Sequence, residues 1–252
     1  MRRSLILAAS ALLVLSSAAC MGGQGAPDPA GYAATLSDPV RPAEDRARDD
    51  ARHTAETLAF ARVRPGQKIA DMIIGGGYFT RVFSAAVGPD GHVTAWQPAE
   101  FIGFQASYGE SLTAVDALPN VGAIRSPIGA PAFPSGLDLV FTAQNYHDLH
   151  LRPFSADTAG KVNAAVFAAL KPGGRYVVID HHAVDGSPIT VAHDLHRIDH
   201  DTLVAEVEAA GFRLSEEAAL LWNEDDPRTA NVFDASIRGR TSQFFIVFRK
   251  PG

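Results

Sequence analysis

The run N-Y-H-D-L-H at residues 145–150 sets a phenol, an imidazole and a carboxylate side by side in Tyr146, His147 and Asp148. A histidine beside an aspartate can act as a general base and the group that orients it, the chemistry of holding a nucleophile and taking its proton. The structural alternative is a capping Asp148 and a packed Tyr146. Histidine is concentrated in the same half of the chain: His147, His150, His181, His182, His193, His196 and His200 are seven of the nine. At helical spacing His193, His196 and His200 share one face, and with His181 or Asp180 they would offer ligands to a divalent metal. No H-E-x-x-H pattern accompanies them, so solvent-facing or capping histidines are the preferred reading and no metal ligand is assigned. A different chemistry is written in Gly75, Gly76 and Gly77, three consecutive glycines between an apolar run and a helical pattern. Glycines there let the backbone turn tightly and approach a ligand, and the free N–H groups at a helix start favour anionic or polar partners.

These residues sit where short apolar runs end. The patterning predicts strands over 68–73, 91–96, 121–126, 137–143 and 175–180, with 212–222 and 243–249 as a closing pair. Helical periods fall at 42–63, 78–87, 100–115, 156–170 and 202–210. That alternation implies an α/β fold with a mostly parallel sheet and helices on both faces, in one domain. Such sheets bind ligands beyond the carboxyl ends of their strands, where the winding reverses. Function is therefore sought at residues 71–77, Gln97, residues 145–148 and the pair His181 and His182.

The amino terminus reads as a targeting segment, with Arg2 and Arg3, an apolar stretch over 5–15 and the small-residue end Ser16-Ser17-Ala18-Ala19 before Cys20. About eleven apolar residues are too few for a permanent span, which takes roughly 20, so residues 1–19 are read as a removable signal peptide of an exported, periplasmic protein. Cys20 is the sole cysteine and cannot form an internal disulfide. Two readings of it stay open: acceptor of a lipid anchor in a membrane-attached lipoprotein, or bystander to ordinary cleavage, since Ser17 stands where lipoprotein signals usually carry Leu. Residues 20–41, rich in Gly, Pro and Ala, are read as a flexible linker, and 42–252 as the folded domain. Loss of Arg2 and Arg3 leaves 20 basic against 28 acidic residues, a balance that argues against a nucleic-acid partner.

The segment V-R-P-G-Q-K-I-A-D-M-I-I-G-G-G-Y-F-T at 63–80, running on through V-T-A-W at 93–96, resembles motif I and the second strand of the class I S-adenosylmethionine-dependent methyltransferases. L-D-L-V-F-T at 137–142 is similar to their fourth strand and L-K-P-G-G-R-Y-V-V-I-D at 170–180 to their fifth. With N-Y-H-D-L-H, L-H-R-I-D at 195–199 and the final S-Q-F-F-I-V-F-R-K-P, the chain from about 42 to 251 resembles a family of predicted methyltransferases that includes exported bacterial members. The resemblance implies a Rossmann-like, doubly wound, seven-stranded sheet with an antiparallel last strand, S-adenosylmethionine as cofactor, and a small-molecule methyl acceptor. It implies that Asp71, Gly75, Gly76 and Gly77 wrap the methionine part of the cofactor, with Gln97 and Asn145 also binding it, and that Tyr146, His147 and Asp148 face the transferred methyl group. Two departures stand out. Ile73 replaces the motif's first glycine, and a β-branched residue at positive φ costs more than about 1–2 kcal/mol, so the turn is expected to differ or begin later. Gln97 replaces the acidic residue that grips the ribose, with Glu100 either its substitute or simply the opening of a helix. The rival implication is a non-catalytic exported protein that reuses the fold to bind a metal or another small ligand. Arg197 and Asp199 read as a surface pair lying where a substrate lid could close.

Overall fold

The structure, a computed structural model, describes residues 27–252. The signal-peptide reading of 1–19 and the anchor at Cys20 lie outside the described residues. Among the described residues no helix is long and apolar enough to cross a membrane.

Seven strands form one sheet: β1 Lys68–Met72, β2 His92–Pro98, β3 Val121–Ser126, β4 Leu137–Ala143, β5 Leu170–His181, β6 Arg213–Ala218 and β7 Gln243–Arg249, ordered β3-β2-β1-β4-β5-β7-β6. Every neighbouring pair is parallel except those of β7, which runs antiparallel to both β5 and β6. The central strands are covered on both faces, so they are apolar at nearly every position instead of alternating. Ile69, Leu139, Phe141, Val177 and Phe245 pack to one side with Val82 and Phe83 of α4 (Tyr78–Val87). Ala70, Met72, Val140, Val178 and Ile246 face the other, under Val162 and Val166 of α7 (Thr158–Ala169) and Leu203 and Val207 of α9 (His200–Ala209). The winding reverses between β1 and β4, which leaves a crevice beyond Met72 and Ala143.

The remaining helices correct several sequence readings. The expected helix over 42–63 is broken into α2 (Ala43–Arg46) and α3 (Thr54–Phe60), separated by turns that end at His53 with φ 45°. Charged pairs decide this break: Arg41 holds Asp49 at 2.5 Å and Arg81 holds Asp45 at 2.6 Å, which fastens the segment across α4. Part of the expected linker is also docked. Residues 29–36 form a 3-10 turn and α1 (Ala33–Leu36), and the buried Tyr32 donates its hydroxyl to the Val63 carbonyl at 2.6 Å. The helix expected over 100–115 divides into α5 (Ala99–Phe104) and α6 (Ser107–Asp116), because Gln105 turns extended at φ −147°. A short α8 (Val191–Leu195) has no counterpart in the sequence reading.

Candidate functional site

Beyond Met72 the chain makes a tight turn before α4, with left-handed φ at Ile73 (59°), Gly75 (54°) and Gly77 (75°). Ile73 thus takes the conformation that the sequence argument denied it. The left-handed turn begins at Ile73 itself. Surroundings hold it there: the Ile73 and Ile74 N–H groups both donate to the Trp96 carbonyl at 2.8 and 3.3 Å, and the Ile73 carbonyl accepts from Asn145 Nδ2 at 3.0 Å. The Ile73 side chain is buried in one apolar cluster with Trp96 and Phe101, so contacts absorb a backbone cost of about 1–2 kcal/mol. The glycines that follow have separate reasons. A Cβ on Gly75 or Gly76 would meet nothing within 4 Å, whereas on Gly77 it would lie 2.7 Å from Val115 Cγ1. The first two offer bare backbone to open space; the third lets α4 approach α6.

The turn borders a cavity of about 440 Å³ at the crevice. On its β1 and β2 side stand Asp71 and Gln97. Gln97 is fully buried, and its Oε1 accepts from the Gly75 N–H at 2.9 Å, which fixes the amide's orientation. Its Nε2 then has no hydrogen-bond partner among the described residues, an arrangement that costs about 1–3 kcal/mol unless something in the cavity accepts from it. Burial raises the Asp71 carboxyl to about 7, against the lowering effect of the Thr80 hydroxyl, which donates at 2.6 Å, and of Arg52 and Arg81. Arg48 and Arg52 close this end, their guanidiniums 4.7 and 4.6 Å from the Tyr78 ring centroid. Neither arginine was singled out from the sequence. The only signal was the run of opposed charges at 44–52, which has too few apolar residues for a self-sufficient helix.

The far end is built from β4, β5 and the segments after them. Asp180, fully buried at the end of β5, accepts from the His147 backbone N–H at 2.7 Å and binds His147 Nδ1 at 2.8 Å. His147 Nε2 lies 3.2 Å from Asp148 Oδ1 and 3.3 Å from His196 Nδ1. Burial alone would lower the His147 pKa, but the Asp180 and Asp148 carboxylates outweigh it and carry it up to about 10. The two carboxylates thus favour a positive charge on this ring, which suits His147 to donating a hydrogen bond and disfavours it as the general base. His181 goes the other way, lowered by burial to about 3 despite Asp180. Two aromatics at the cavity, Phe104 and Phe233, are more than half exposed.

Among the expected site residues, Asp71, Gly75, Gly76, Gln97, Asn145, His147 and Asp148 all line this one cavity. Gly77 supports the turn from behind. Tyr146 is displaced from its expected role: fully buried under α7 and α9, it donates to Glu206 at 2.9 Å, accepts from Asn163 at 2.7 Å and does not reach the cavity. Glu100 is no substitute for an acidic ribose ligand, since its carboxylate accepts from the Ile128 N–H at 3.0 Å in the first turn of α5. Nor do His193, His196 and His200 share a helix face: α8 ends at Leu195, His196 turns left-handed at φ 54°, and Asp199 caps a new helix by accepting from the Thr202 N–H. Arg197 is not at the surface and does not pair with Asp199. Its fully buried guanidinium makes two bonds to Asp226, at 2.8 and 3.0 Å, and pins the long segment between β6 and β7 that brings Val232 and Phe233 to the cavity.

This sheet order, with the loop after β1 opening on the crevice, is the class I methyltransferase fold. A methyltransferase from Aquifex aeolicus described as SAM dependent superposes with a TM-score of 0.52 at 18% identity, over 88% of this chain and 97% of that one. The [4+2]-cyclase SpnF superposes at 0.57 and 15% identity, over 80% of each. In sequence, the chain is 30% identical over 147 residues to the ubiquinone/menaquinone biosynthesis C-methyltransferase UbiE of Burkholderia vietnamiensis, which is 56% of this chain and 54% of that one. The protein of the same name from Erwinia tasmaniensis is 26% identical over 192 residues, 73% of this chain and 72% of its own length. The chain thus spans about half the length of the first of these relatives. No family model matches it.

Proposed function

We propose that the chain is an S-adenosylmethionine-dependent methyltransferase acting on a small, largely apolar acceptor. The observation that carries this reading is the buried Gln97 amide, clamped by Gly75 with its Nε2 free, at the strand end where the glycine turn leaves room for a ligand against bare backbone. The residues present fit a nucleoside bound through its ribose: Gln97 Nε2 donates to a hydroxyl in place of the missing carboxylate. Gly75 and Gly76 permit close approach to the amino-acid part, Asp71 supplies negative charge for a cation, and Arg48 and Arg52 supply positive charge for a carboxylate. Bound there, the cofactor would supply a methyl group on a cationic sulfur, a good leaving group. The protein's share is then mostly alignment of the acceptor for in-line attack. Phe104 and Phe233 flank the entrance with apolar surface, and His147 donates, and Asp148 accepts, at the polar end where the acceptor's reacting group would be held. The relatives named as C-methyltransferases support methyl transfer, and the aromatic mouth supports an apolar acceptor.

Calorimetric titration of the protein with S-adenosylmethionine tests this reading. Micromolar binding is expected, lost in Gly75→Val and weakened about fivefold in Gln97→Ala, the worth of one neutral hydrogen bond of about 1 kcal/mol. Absence of binding in the wild type would remove the reading. Export also belongs to the proposal, on the pattern of residues 1–20, and mass spectrometry of the mature amino terminus tests it: a chain beginning beyond residue 19 supports export, lipid mass on Cys20 the anchor.

A further inference from the structure

The polar end of the cavity, where His147 and Asp148 face the acceptor, also has the spacing of a metal site, which methyl transfer does not require. His147 Nε2, Asp148 Oδ1 and His196 Nδ1 lie 3.2, 3.3 and 4.0 Å from one another, and all three residues line the cavity. We propose that these three atoms bind one divalent transition-metal ion of the Zn²⁺ class, with an open coordination position facing the cavity, the cation displacing the proton on His147 Nε2 to solvent and taking over its charge between the Asp148 and Asp180 carboxylates.

Spacing argues first. Zinc ligands stand about 2.0–2.2 Å from the ion and subtend angles between square and tetrahedral, which puts ligand atoms roughly 3.0–3.6 Å apart. Two of the three edges fall in that range, and the third closes with a small rotation of His196, whose side chain is 27% exposed. Two imidazoles and one carboxylate on one side, with the other side vacant, is the ligand set of open metal sites, which keep a position for water or substrate. The support behind the ligands argues next. Asp180 binds His147 Nδ1 and is itself fixed by the backbone N–H groups of His147 and His181, both at 2.7 Å. A carboxylate behind a histidine in this way sets which nitrogen faces the ion and keeps the ring aligned, the usual support of a metal-bound histidine. Backbone geometry argues third: His196 is one of few non-glycine residues held left-handed, at φ 54°, in a conformation that histidine tolerates better than most. That conformation ends α8 and turns the imidazole toward His147, with ring centroids 5.4 Å apart. The cavity supplies the entry path that a working metal site needs. The vacant position would take an oxygen, nitrogen or sulfur donor of whatever small molecule occupies the acceptor end.

This site uses residues other than the glycine turn and Gln97, so the cofactor reading does not depend on it; a metal here would take over from His147 and Asp148 the holding of the acceptor's reacting group. The test is calorimetric titration of the chelator-stripped full protein with Zn²⁺, alongside Co²⁺ followed by visible absorption, and in parallel with S-adenosylmethionine. One equivalent of Zn²⁺ is expected to bind at micromolar Kd or tighter, with a Co²⁺ spectrum of four- or five-coordinate intensity. His196→Asn, which keeps a residue tolerant of positive φ, and Asp148→Asn are each expected to weaken binding at least thirtyfold. Asp180→Asn, acting as a positioning residue through His147, is expected to weaken it about 10–100-fold and to shift the Co²⁺ bands. His92→Asn, exposed at the start of β2 at the opposite edge of the sheet from the cavity, serves as the surface-histidine control and should bind as wild type. The proposal is overturned by the lack of saturable one-to-one binding in the wild type, or by binding that survives both His196→Asn and Asp148→Asn in proteins whose circular dichroism and melting match the wild type. A wild type that binds the nucleoside but not Zn²⁺ would sink the metal site alone, and the converse would sink the cofactor reading alone.

Discussion

The two ends of the cavity are made by opposite means. The β1 end is centred on a contiguous stretch of about ten residues, Asp71 to Thr80, in which conformation does the work, with three left-handed residues, two of them glycines, and a buried carboxyl near neutrality; the unpaired Gln97 amide of β2 and the guanidiniums of Arg48 and Arg52 are set against it. The other end is gathered from four distant segments, around His147, His181, His196 and Phe233, and is held by charge: Asp180 against His147, Arg197 against Asp226. A wall made from one continuous turn fails when its backbone cannot take the shape. A wall made from separate segments fails when one tie is cut. The difference teaches where each kind of mutation should act.

The largest effect is expected at the assembled end. Asp226→Ala leaves the Arg197 guanidinium buried without its partner, and should cost about 3–5 kcal/mol of stability by urea unfolding; a loss below about 1 kcal/mol would show that the segment between β6 and β7 is not tied by this pair. Next comes the turn itself. Gly77→Val combines left-handed strain of about 1–2 kcal/mol with overpacking against Val115 of about 1–3 kcal/mol, so about 2–5 kcal/mol is expected, with cofactor affinity falling together with stability.

A third test separates strain from packing within the turn. Ile69→Gly and Ile73→Gly both remove a buried isoleucine, but only at Ile73 does glycine also release a left-handed residue. Ile73→Gly is therefore expected to be about 1–2 kcal/mol less damaging, and equal losses in thermal melts would show that Ile73 carries no strain. The smallest effect is expected from pH. The apo Asp71 carboxyl, raised to about 7 by burial, should be stabilised in its ionised form by a cationic ligand, so the pKa falls on binding. Affinity for S-adenosylmethionine should then be constant above about pH 7 and decline below it, by up to tenfold per unit, as read by titration between pH 5.5 and 8.5. Without ligand the sign reverses: a carboxyl whose folded pKa lies above its unfolded value contributes stability at low pH that is lost as pH rises through about 7. Asp71→Asn should flatten both profiles.

Much of the scaffold could be read from residue order. The bounds of α4, β3, β4 and β7 follow the patterning residue for residue, and β1 to within one, because strands buried on both faces must be uninterrupted apolar runs and a helix packed on one side must show its period. The glycine turn was legible for the same local reason. Reading failed where a distant partner decided. Charged ties from Arg41 and Arg81 break the helix expected over 42–63 and bring Arg48 and Arg52 to the cavity. Glu206 and Asn163, on two other helices, draw Tyr146 into the core and away from chemistry. A cap at Asp199 separates His196 from His200, and packing sets His196 beside His147 instead.

Residue order alone thus determined most strand positions and the glycine turn, since these depend on burial pattern and on backbone freedom over a few neighbouring positions, while the seven-stranded sheet with its antiparallel strand was what the family resemblance implied. Only the tertiary structure decided which polar side chains meet at the cavity and in what charge state. Those depend on Coulombic and hydrogen-bond partners dozens of residues away, and on burial that no local pattern encodes.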